Sequence, residues 1–393
     1  MNKFALTNCG MVLTNAGPII EKGSVLVADG RIADVVVGEP PVGFKRIDVG
    51  GRVATPGLVD AHTHAVFAGD RSAEFVARGR GATYQEIAAQ GGGIQATVRA
   101  VRELDGDQLF EESKRHVEWM LRCGTTTAEI KSGYGLATLQ EIKMLEVARR
   151  LGEETPIDVV PTFLGAHAVP PEFMGNKGGY MDLLINEMLP LARDTGVAKA
   201  ADIFVEEGYF DAEDARKLAR ALPEGFLLRM HVDQFSTGGA ELAAEIGAST
   251  ADHLEQTSEN GIVRMVEAGV IPVLLPTSVL CLGLDKYPNA RRMLDLGLSV
   301  VIATDFNPGS APSPSLPFAM SLAVAKMGMT PLEALQGCTI NAAQALELTD
   351  VGVLATGARA DIAVWDVETL DELPYFVGAP LLSALYKEGI QIV

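Results

Sequence analysis

The feature of this sequence that most constrains its fold is an alternation of short apolar segments with stretches of helix length. Most of the apolar segments are bounded by glycine or proline, and the stretches between them include predicted helices at 212–222 and 239–246. Such alternation predicts βαβ units and a parallel sheet, and eight units fit an α/β fold of the (β/α)8 TIM barrel type with insertions. The eight predicted strands are 58–64, 125–131, 157–164, 202–206, 226–232, 250–254, 270–275 and 298–303.

A doubly wound sheet is the alternative architecture for the same alternation. It would place a glycine-rich phosphate loop after an early strand, and the sequence has no such loop. The glycine run at 91–93 instead suggests flexible backbone in a binding loop. The barrel is therefore the favoured prediction.

Both ends of the chain differ from the middle, because short β-type segments follow one another there without helices. Asp29-Gly30 lies between two of these segments and signals a hairpin. Near the C-terminus we predict strands at 352–354, 360–365, 382–386 and 390–393. We expect residues 1–57 and 348–393 to form one composite β-sandwich domain, with a barrel of residues 58–347 inserted between them.

Composition and charge narrow the range of partners. The formal charge of −19 disfavours nucleic acid and anionic membranes, since both require a cationic surface. The four cysteines lack CxxC spacing, which indicates reduced thiols. The N-terminus lacks the apolar region of a signal peptide, and no apolar run approaches the roughly 18 residues of a membrane span. We expect a cytoplasmic protein that acts on a small molecule.

Two histidines one residue apart, His62 and His64, end the first predicted strand. Residues i and i+2 of a strand point to the same face, so both rings can approach one metal ion. Five of the six histidines lie at or near predicted strand ends; His116 lies within a predicted helix, and we expect it on the surface.

Further polar residues end other strands of the barrel, where active sites of this fold form. His231 ends strand five, His253 ends strand six and Asp305 ends strand eight. Three histidines and one aspartate can hold a single ion and leave a position for water. The predicted metal ligands are His62, His64, His231 and Asp305.

The motif PGLVDAHTH at 56–64, with these later residues and the segments 339–343 and 357–362, resembles the amidohydrolase superfamily over essentially the whole chain. Four longer segments resemble the imidazolonepropionase family within it: 64–71, 129–136, 163–167 and 303–310. The resemblance implies a hydrolase of histidine degradation that opens the cyclic amide of 4-imidazolone-5-propanoate to give N-formimino-L-glutamate. It also implies one divalent ion per chain, zinc or iron, and a homodimer.

The resemblance further implies roles for individual residues. His253 would be the base or hydrogen-bond partner of the attacking water, and Asp305 would accept a proton and pass it to the leaving nitrogen; the division between these roles stays open. Arg71 would pair with the propionate of the substrate. The substrate-binding set implied is Arg71, Tyr84, Tyr134, His167, Gln234, Asn307, Gly309 and Ser310.

Two positions bear on how far the resemblance reaches. Gln234 stands where many members of the family have glutamate, and an amide cannot act as a general base. Binuclear relatives use a carbamylated lysine on strand four, whereas residues 203–207 contain none and Lys131 lies on strand two. We therefore expect one metal ion, with a second ion bridged by Glu206 or Glu207 as the alternative.

Two other functions compete with this interpretation. A deaminase of the same superfamily would share the metal ligands, but it would need a glutamate where Gln234 stands and would have less need of Arg71. A non-catalytic assembly protein on the same scaffold would lose metal ligands, and this sequence keeps all four. The bound metal per chain would separate the assembly protein from the enzymes.

Overall fold

The structure is a computed structural model that describes residues 3–81 and 91–393. The strands of this described part are β1 (Lys3–Val12), β2 (Ile20–Ala28), β3 (Arg31–Val37), β4 (Lys45–Asp48), β5 (Val53–Pro56), β6 (Leu58–Asp60), β7 (Thr125–Lys131), β8 (Asp158–Ala166), β9 (Ala200–Val205), β10 (Leu227–Val232), β11 (Thr250–His253), β12 (Ile271–Leu274), β13 (Val301–Ile302), β14 (Ile362–Trp365), β15 (Leu382–Lys387) and β16 (Ile390–Gln391).

The helices of the same residues are α1 (Ser72–Gly79), α2 (Ile94–Glu103), α3 (Gly106–Arg122), α4 (Thr138–Glu154), α5 (Lys177–Leu183), α6 (Leu189–Asp194), α7 (Ala212–Ala221), α8 (Gly239–Ile246), α9 (Glu259–Ala268), α10 (Pro276–Leu282), α11 (Ala290–Asp295), α12 (Leu316–Met327), α13 (Pro331–Gly337), α14 (Ile340–Ala345) and α15 (Glu372–Tyr375). A π-helical turn joins α5 to α6. In the described part of the chain, no helix is long and apolar enough to cross a membrane.

Strands β6 to β13 pair in parallel and in sequence order, as the barrel prediction requires. A bridge between Thr63 and Phe306 joins the two ends of this sheet. Beside it, the backbone N–H of Asp305 donates to the His62 carbonyl at 3.0 Å. The buried Asp60 carboxylate accepts from the backbone N–H and the hydroxyl of Thr304, at 3.1 and 2.6 Å. The barrel is thus closed, and its seam runs directly beside the predicted metal ligands.

The eighth strand is shorter than the sequence indicated. Only Val301 and Ile302 pair as strand, whereas we predicted 298–303. The carbonyl of Val300 accepts a hydrogen bond from the Asn341 side chain at 2.9 Å instead of extending the ladder. The predicted segment is apolar apart from Ser299, but residues 298–300 do not join the ladder with β12.

A second sheet joins the two ends of the chain. Its order is β16-β15-β14-β5-β1-β2-β3, with β4 paired to β1, so the predicted composite β-domain forms. Asp29 and Gly30 turn between β2 and β3 with φ of 51° and 78°, which confirms the hairpin. The predicted strand at 352–354 is wrong, because Leu354 makes only an isolated backbone bond, to Thr14. The boundaries 1–57, 58–347 and 348–393 stay a prediction.

The prediction for His116 is also wrong. It lies within α3, as expected, but only 8% of the residue is exposed. Its Nδ1 lies 2.9 Å from the Ala65 carbonyl, and its ring stacks on Phe67 at 3.9 Å between centroids. Helix α3 covers the segment that follows β6, and this tertiary contact decides which face of the helix is buried.

A cluster of charges ties the composite sheet to the barrel. The Lys387 ammonium of β15 lies 2.6 Å from a carboxylate oxygen of Asp158 on β8 and 2.6 Å from one of Asp361. Arg359 also pairs with Asp158, at 2.6 Å. Lys387 and Asp361 are both buried, so their charges depend on each other for compensation.

We predict that Lys387→Met lowers the free energy of unfolding by about 3 kcal/mol, because it leaves the Asp361 carboxylate buried without its ammonium. Urea denaturation measures the change. Arg46→Met is the control, since it breaks an exposed ion pair with Glu39 and should cost less than about 1 kcal/mol. Equal losses in the two variants would contradict the assigned role of the cluster.

Candidate metal centre and active site

The four residues predicted to bind metal converge at the carboxyl ends of the barrel strands. The Nε2 atoms of His64 and His231 lie 3.4 Å apart. The Asp305 oxygen Oδ1 lies 3.7 Å from Nε2 of His62 and 3.6 Å from Nε2 of His64. The buried Nε2 of His62 has no hydrogen-bond partner among the described residues. Three imidazoles and a carboxylate in this arrangement fit a divalent ion such as zinc.

Two of these imidazoles are oriented by carboxylates behind them. Nδ1 of His62 lies 2.6 Å from Asp252, and Nδ1 of His231 lies 3.0 Å from Asp202. Because a carboxylate accepts the Nδ1 proton, the lone pair is left on Nε2, towards the centre. Burial holds the pKa of His62 well below its ordinary value, which favours the neutral form that binds metal.

The negative charges of these two carboxylates are compensated by one lysine. The Lys131 ammonium is fully buried and lies 2.7 Å from Asp202, 2.8 Å from Glu129 and 3.6 Å from Asp252. Burial alone would lower the pKa of Lys131, but the carboxylates of Asp202, Glu129 and Asp252 raise it above its usual value. These contacts therefore favour the charged form of Lys131.

His253 reaches the site through an unusual backbone conformation. It has φ of 80° and Leu254 has φ of 71°, both in the left-handed region that non-glycine residues rarely adopt. Its ring lies 5.5 Å from that of His231, between centroids. Nδ1 of His253 lies 3.6 Å from Glu255, a buried carboxylate with no hydrogen bond to any described residue. Glu255 is thus placed to pair with His253.

A cavity of about 770 Å³ opens above these residues. Seven of the eight predicted substrate contacts lie on its wall, and Tyr84 lies outside the described residues. The seven are Arg71, Tyr134, His167, Gln234, Asn307, Gly309 and Ser310. Whether they bind substrate stays a prediction.

Arg71 is held in place before any ligand arrives. Its Nε and Nη2 lie 2.9 and 2.8 Å from one oxygen of Glu74. A Cβ on Gly309 would collide with the Arg71 guanidinium, so glycine is required for this approach. A second guanidinium on the cavity wall, that of Arg78, donates to the Gly309 carbonyl at 3.1 Å.

Tyr134 and His167 form one side of the cavity. The His167 ring stacks on His64, with centroids 5.0 Å apart and planes at 19°, and its Nδ1 lies 3.1 Å from the Gly133 carbonyl. Burial lowers the pKa of His167 to about 3, so this ring offers hydrogen bonds but no charge. The Tyr134 ring lies 5.4 Å from it, between centroids.

Asn307 and Ser310 are partly committed to their own loop. The Asn307 amide donates to the Asp305 carbonyl at 2.6 Å, and its oxygen accepts from the backbone N–H groups of Gly309 and Ser310, each at 2.8 Å. The Ser310 hydroxyl donates to the Asp305 carboxylate at 3.2 Å. These bonds fix the aspartate that is predicted to bind metal, whereas Gln234 makes no hydrogen bond to any described residue and faces the cavity.

Glu206, the candidate for a second ion, is occupied by the protein. Its oxygens accept from the Phe235 N–H at 2.9 Å and from the Ser236 hydroxyl at 2.6 Å. Glu207 is exposed. The expectation of a single ion stays a prediction that these contacts favour.

Sequence reasoning gave no role to several residues that the structure places at the site. From the sequence, Lys131 is excluded as a carbamylated metal ligand because it lies on strand two, and Asp202 and Asp252 are expected as residues of strands. The available signal was their position, because Asp252 adjoins His253 and Asp202 is a charged residue at the start of the otherwise apolar run 203–205. Arg78 and Glu255 also went unnoticed.

Known proteins resemble this chain over its full length. A curated imidazolonepropionase of Solibacter usitatus is 45% identical, with 99% of this chain and 98% of the relative covered. A curated imidazolonepropionase of Geobacillus sp. is 46% identical to this chain, with 95% of this chain and 91% of the relative covered. One of Streptococcus pyogenes is 41% identical, with 98% of this chain and 94% of the relative covered. The chain belongs to the imidazolonepropionase family. A model of the amidohydrolase family also matches residues 250–385.

Solved structures share the fold of this imidazolonepropionase family member at low identity. A triazine hydrolase variant has a TM-score of 0.80 at 18% identity and covers 100% of this chain and 95% of its own. A mutant atrazine chlorohydrolase of Arthrobacter aurescens, complexed with zinc and atraton, has a TM-score of 0.71 at 18% identity. The match covers 99% of this chain and 95% of the chlorohydrolase chain. The solved structures show the fold, and the curated relatives and the family model show that the chain is a hydrolase, with groups of residues suited to metal.

The loop that carries Tyr134 depends on one buried carboxylate. Glu141 accepts from the backbone N–H groups of Gly133, Gly135 and Leu136 at 3.0, 2.8 and 2.7 Å. We predict that Glu141→Gln speeds hydrogen exchange of these amides by about tenfold, because hydrogen bonds to a charged acceptor are worth about 1.5–3 kcal/mol.

Exchange followed by mass spectrometry or NMR tests this loop prediction. Glu333→Gln is the control, since it alters a carboxylate that accepts from the Thr330 N–H at the start of α13. Unchanged exchange at the Tyr134 loop in Glu141→Gln would show that the carboxylate does not hold it.

Proposed function

We propose that this protein hydrolyses the cyclic amide of 4-imidazolone-5-propanoate to N-formimino-L-glutamate in histidine degradation. The observation that carries the proposal is that the metal-type donors His64, His231 and Asp305 line one cavity with a fixed guanidinium, and that the fourth donor, His62, lies against Asp305. An enzyme for this substrate needs both, since it must attack a ring carbonyl and bind a propionate. Family membership supports the same reaction.

We further propose that His62, His64, His231 and Asp305 hold one divalent ion, zinc or iron. When bound, such an ion lowers the pKa of a coordinated water and polarises a carbonyl oxygen. The chain's own contribution is to keep these donors buried, oriented and supplied with compensating charge.

His253 and Asp305 are the proposed proton carriers. His253 lies beside the ring of His231 and is backed by Glu255, so it can orient the attacking water and accept its proton. Asp305, steadied by the Ser310 hydroxyl, can take up the proton of that water, directly or from His253, and pass it to the leaving ring nitrogen. Gln234 can hydrogen-bond the ring from the cavity wall but cannot serve as base.

The propionate is proposed to bind at the Arg71 side of the cavity. Glu74 occupies the Nε and Nη2 edge of the guanidinium, so Nη1, which faces Gly309, is left for the carboxylate. Tyr134 and His167 supply uncharged hydrogen-bonding groups at the neighbouring wall. Binding the acid at a fixed distance from the metal orients the ring carbonyl for attack. A homodimer stays an expectation from the family resemblance, and a cytoplasmic location stays an expectation from the sequence.

The direct test offers the purified, metal-loaded protein freshly generated imidazolonepropionate and follows loss of its ultraviolet absorbance. We expect turnover with formation of N-formimino-L-glutamate. Release of ammonia without ring opening would favour the deaminase alternative instead.

A pair of variants separates the metal ligands from the proton carrier. We predict that His62→Ala abolishes both bound metal and activity, whereas His253→Ala keeps its metal and loses about 10²–10⁴-fold in turnover. Elemental analysis of each purified variant, with the activity assay, measures both properties. Full activity in His62→Ala, or loss of metal in His253→Ala, would reverse the assignments.

A third variant tests the carboxylate anchor. We predict that Arg71→Met keeps its metal but loses roughly 2–5 kcal/mol of transition-state stabilisation in kcat/KM, because one partner of a desolvated ion pair is removed. The substrate and an imidazolone lacking the acid are compared. If the variant prefers the acid as strongly as the parent does, the anchor lies elsewhere, with Arg78 the next guanidinium on the wall.

A further inference from the structure

Lys131 lies beneath the proposed metal centre and does not line the cavity. It sits on β7, while its partners Asp202 and Asp252 lie on β9 and β11, so its ammonium crosses the interior of the barrel. The side chains of Lys131, Asp202 and Asp252 have no exposed surface. Contact with substrate is therefore not its role.

Each of these two aspartates also contacts a proposed metal ligand. Asp202 uses Oδ2 for Lys131 and Oδ1 for Nδ1 of His231. Asp252 directs the same oxygen, Oδ2, to Nδ1 of His62 at 2.6 Å and to Lys131 at 3.6 Å. The Lys131 ammonium thus contacts the carboxylates of two separate carboxylate–imidazole pairs.

The same region could otherwise attract a second metal ion. Ligand atoms of Asp202, His231 and Asp252 lie within 4.8 Å of one another, close enough to share a cation. The Lys131 ammonium already lies against both carboxylates. A covalently attached cation supplies the compensating charge there without depending on metal supply.

We propose that Lys131 is a positioning residue for the metal centre, an internal cation that holds Asp202 and Asp252 in place so that they orient His231 and His62. This rests on the metal ligands proposed above. Removing the ammonium frees both carboxylates to turn, and each imidazole then loses its fixed partner at Nδ1. Loss of such outer partners typically lowers metal affinity by about 10–100-fold.

The test compares Lys131→Met with Lys387→Met by zinc titration of the metal-free protein against a competing chelator. Both variants remove a buried ammonium that lies against carboxylates, three at Lys131 and two at Lys387, but the Lys387 carboxylates contact no proposed metal ligand. We expect the zinc Kd to rise by about 10–100-fold in Lys131→Met and to change less than about threefold in Lys387→Met. A zinc Kd in Lys131→Met within about threefold of the parent, or an equal rise in both variants, overturns the proposal.

A second variant separates metal affinity from folding. Lys131→Met combined with Glu129→Gln removes one charge of each sign, so the barrel interior keeps its net charge while Asp202 and Asp252 still lack the ammonium. The expected result is the same rise in zinc Kd in a folded protein, and recovery of the parent Kd overturns the proposal. The zinc affinity of the parent protein separates failure of the metal-site proposal from failure of the Lys131 proposal. If the parent binds no zinc, the proposed metal site is wrong. If the parent binds zinc and both Lys131 variants bind it equally well, only the proposed role of Lys131 is wrong.

Discussion

Compensation of buried charge is the constraint on which the interior of this barrel depends. Carboxylates and ammonium groups without exposed surface need opposite charge or hydrogen bonds to replace their contacts with water. Glu129 lies beside both Lys131 and Arg229, at 2.8 and 3.2 Å. The neighbouring carboxylates also contact imidazole rings of the site. The contacts that compensate buried charge in the barrel interior therefore also orient the ring nitrogens. The same contacts therefore stabilise the fold and set the geometry of the site.

The backbone contributes a second form of preorganisation. His253, Leu254 and Asp305 all have positive φ at or just beyond strand ends, a conformation that costs of order 1–3 kcal/mol at each non-glycine residue. Hydrogen bonds between strands keep them there, such as that from the Leu254 N–H to the Val232 carbonyl at 3.2 Å. The rigid barrel thus supports side-chain directions that a regular strand would not give.

Sequence patterns captured the barrel, the composite sheet and the donors at strand ends, because alternation and strand-end position are local properties. They missed the role of Lys131, since its partners lie on other strands and their contacts depend on stagger across the barrel. His116 failed for a similar reason, because the contact of α3 with Ala65 and Phe67 is tertiary. The commitment of the Asn307 amide to its own loop is local, and an asparagine followed by proline and glycine could have signalled that turn.

The composite sheet has a consequence for synthesis of the chain. Strand β14 pairs with β5. The edge of β5 that accepts β14 therefore stays unpaired until residues 362–365 have left the ribosome. Every barrel strand is translated in the interval, and domains tend to fold as they emerge. A chain released before Ile362 would carry all the barrel strands and display the open edge of β5, which is a template for strands of other molecules. Strand β14 therefore covers this edge of β5 only after residues 362–365 have been synthesised.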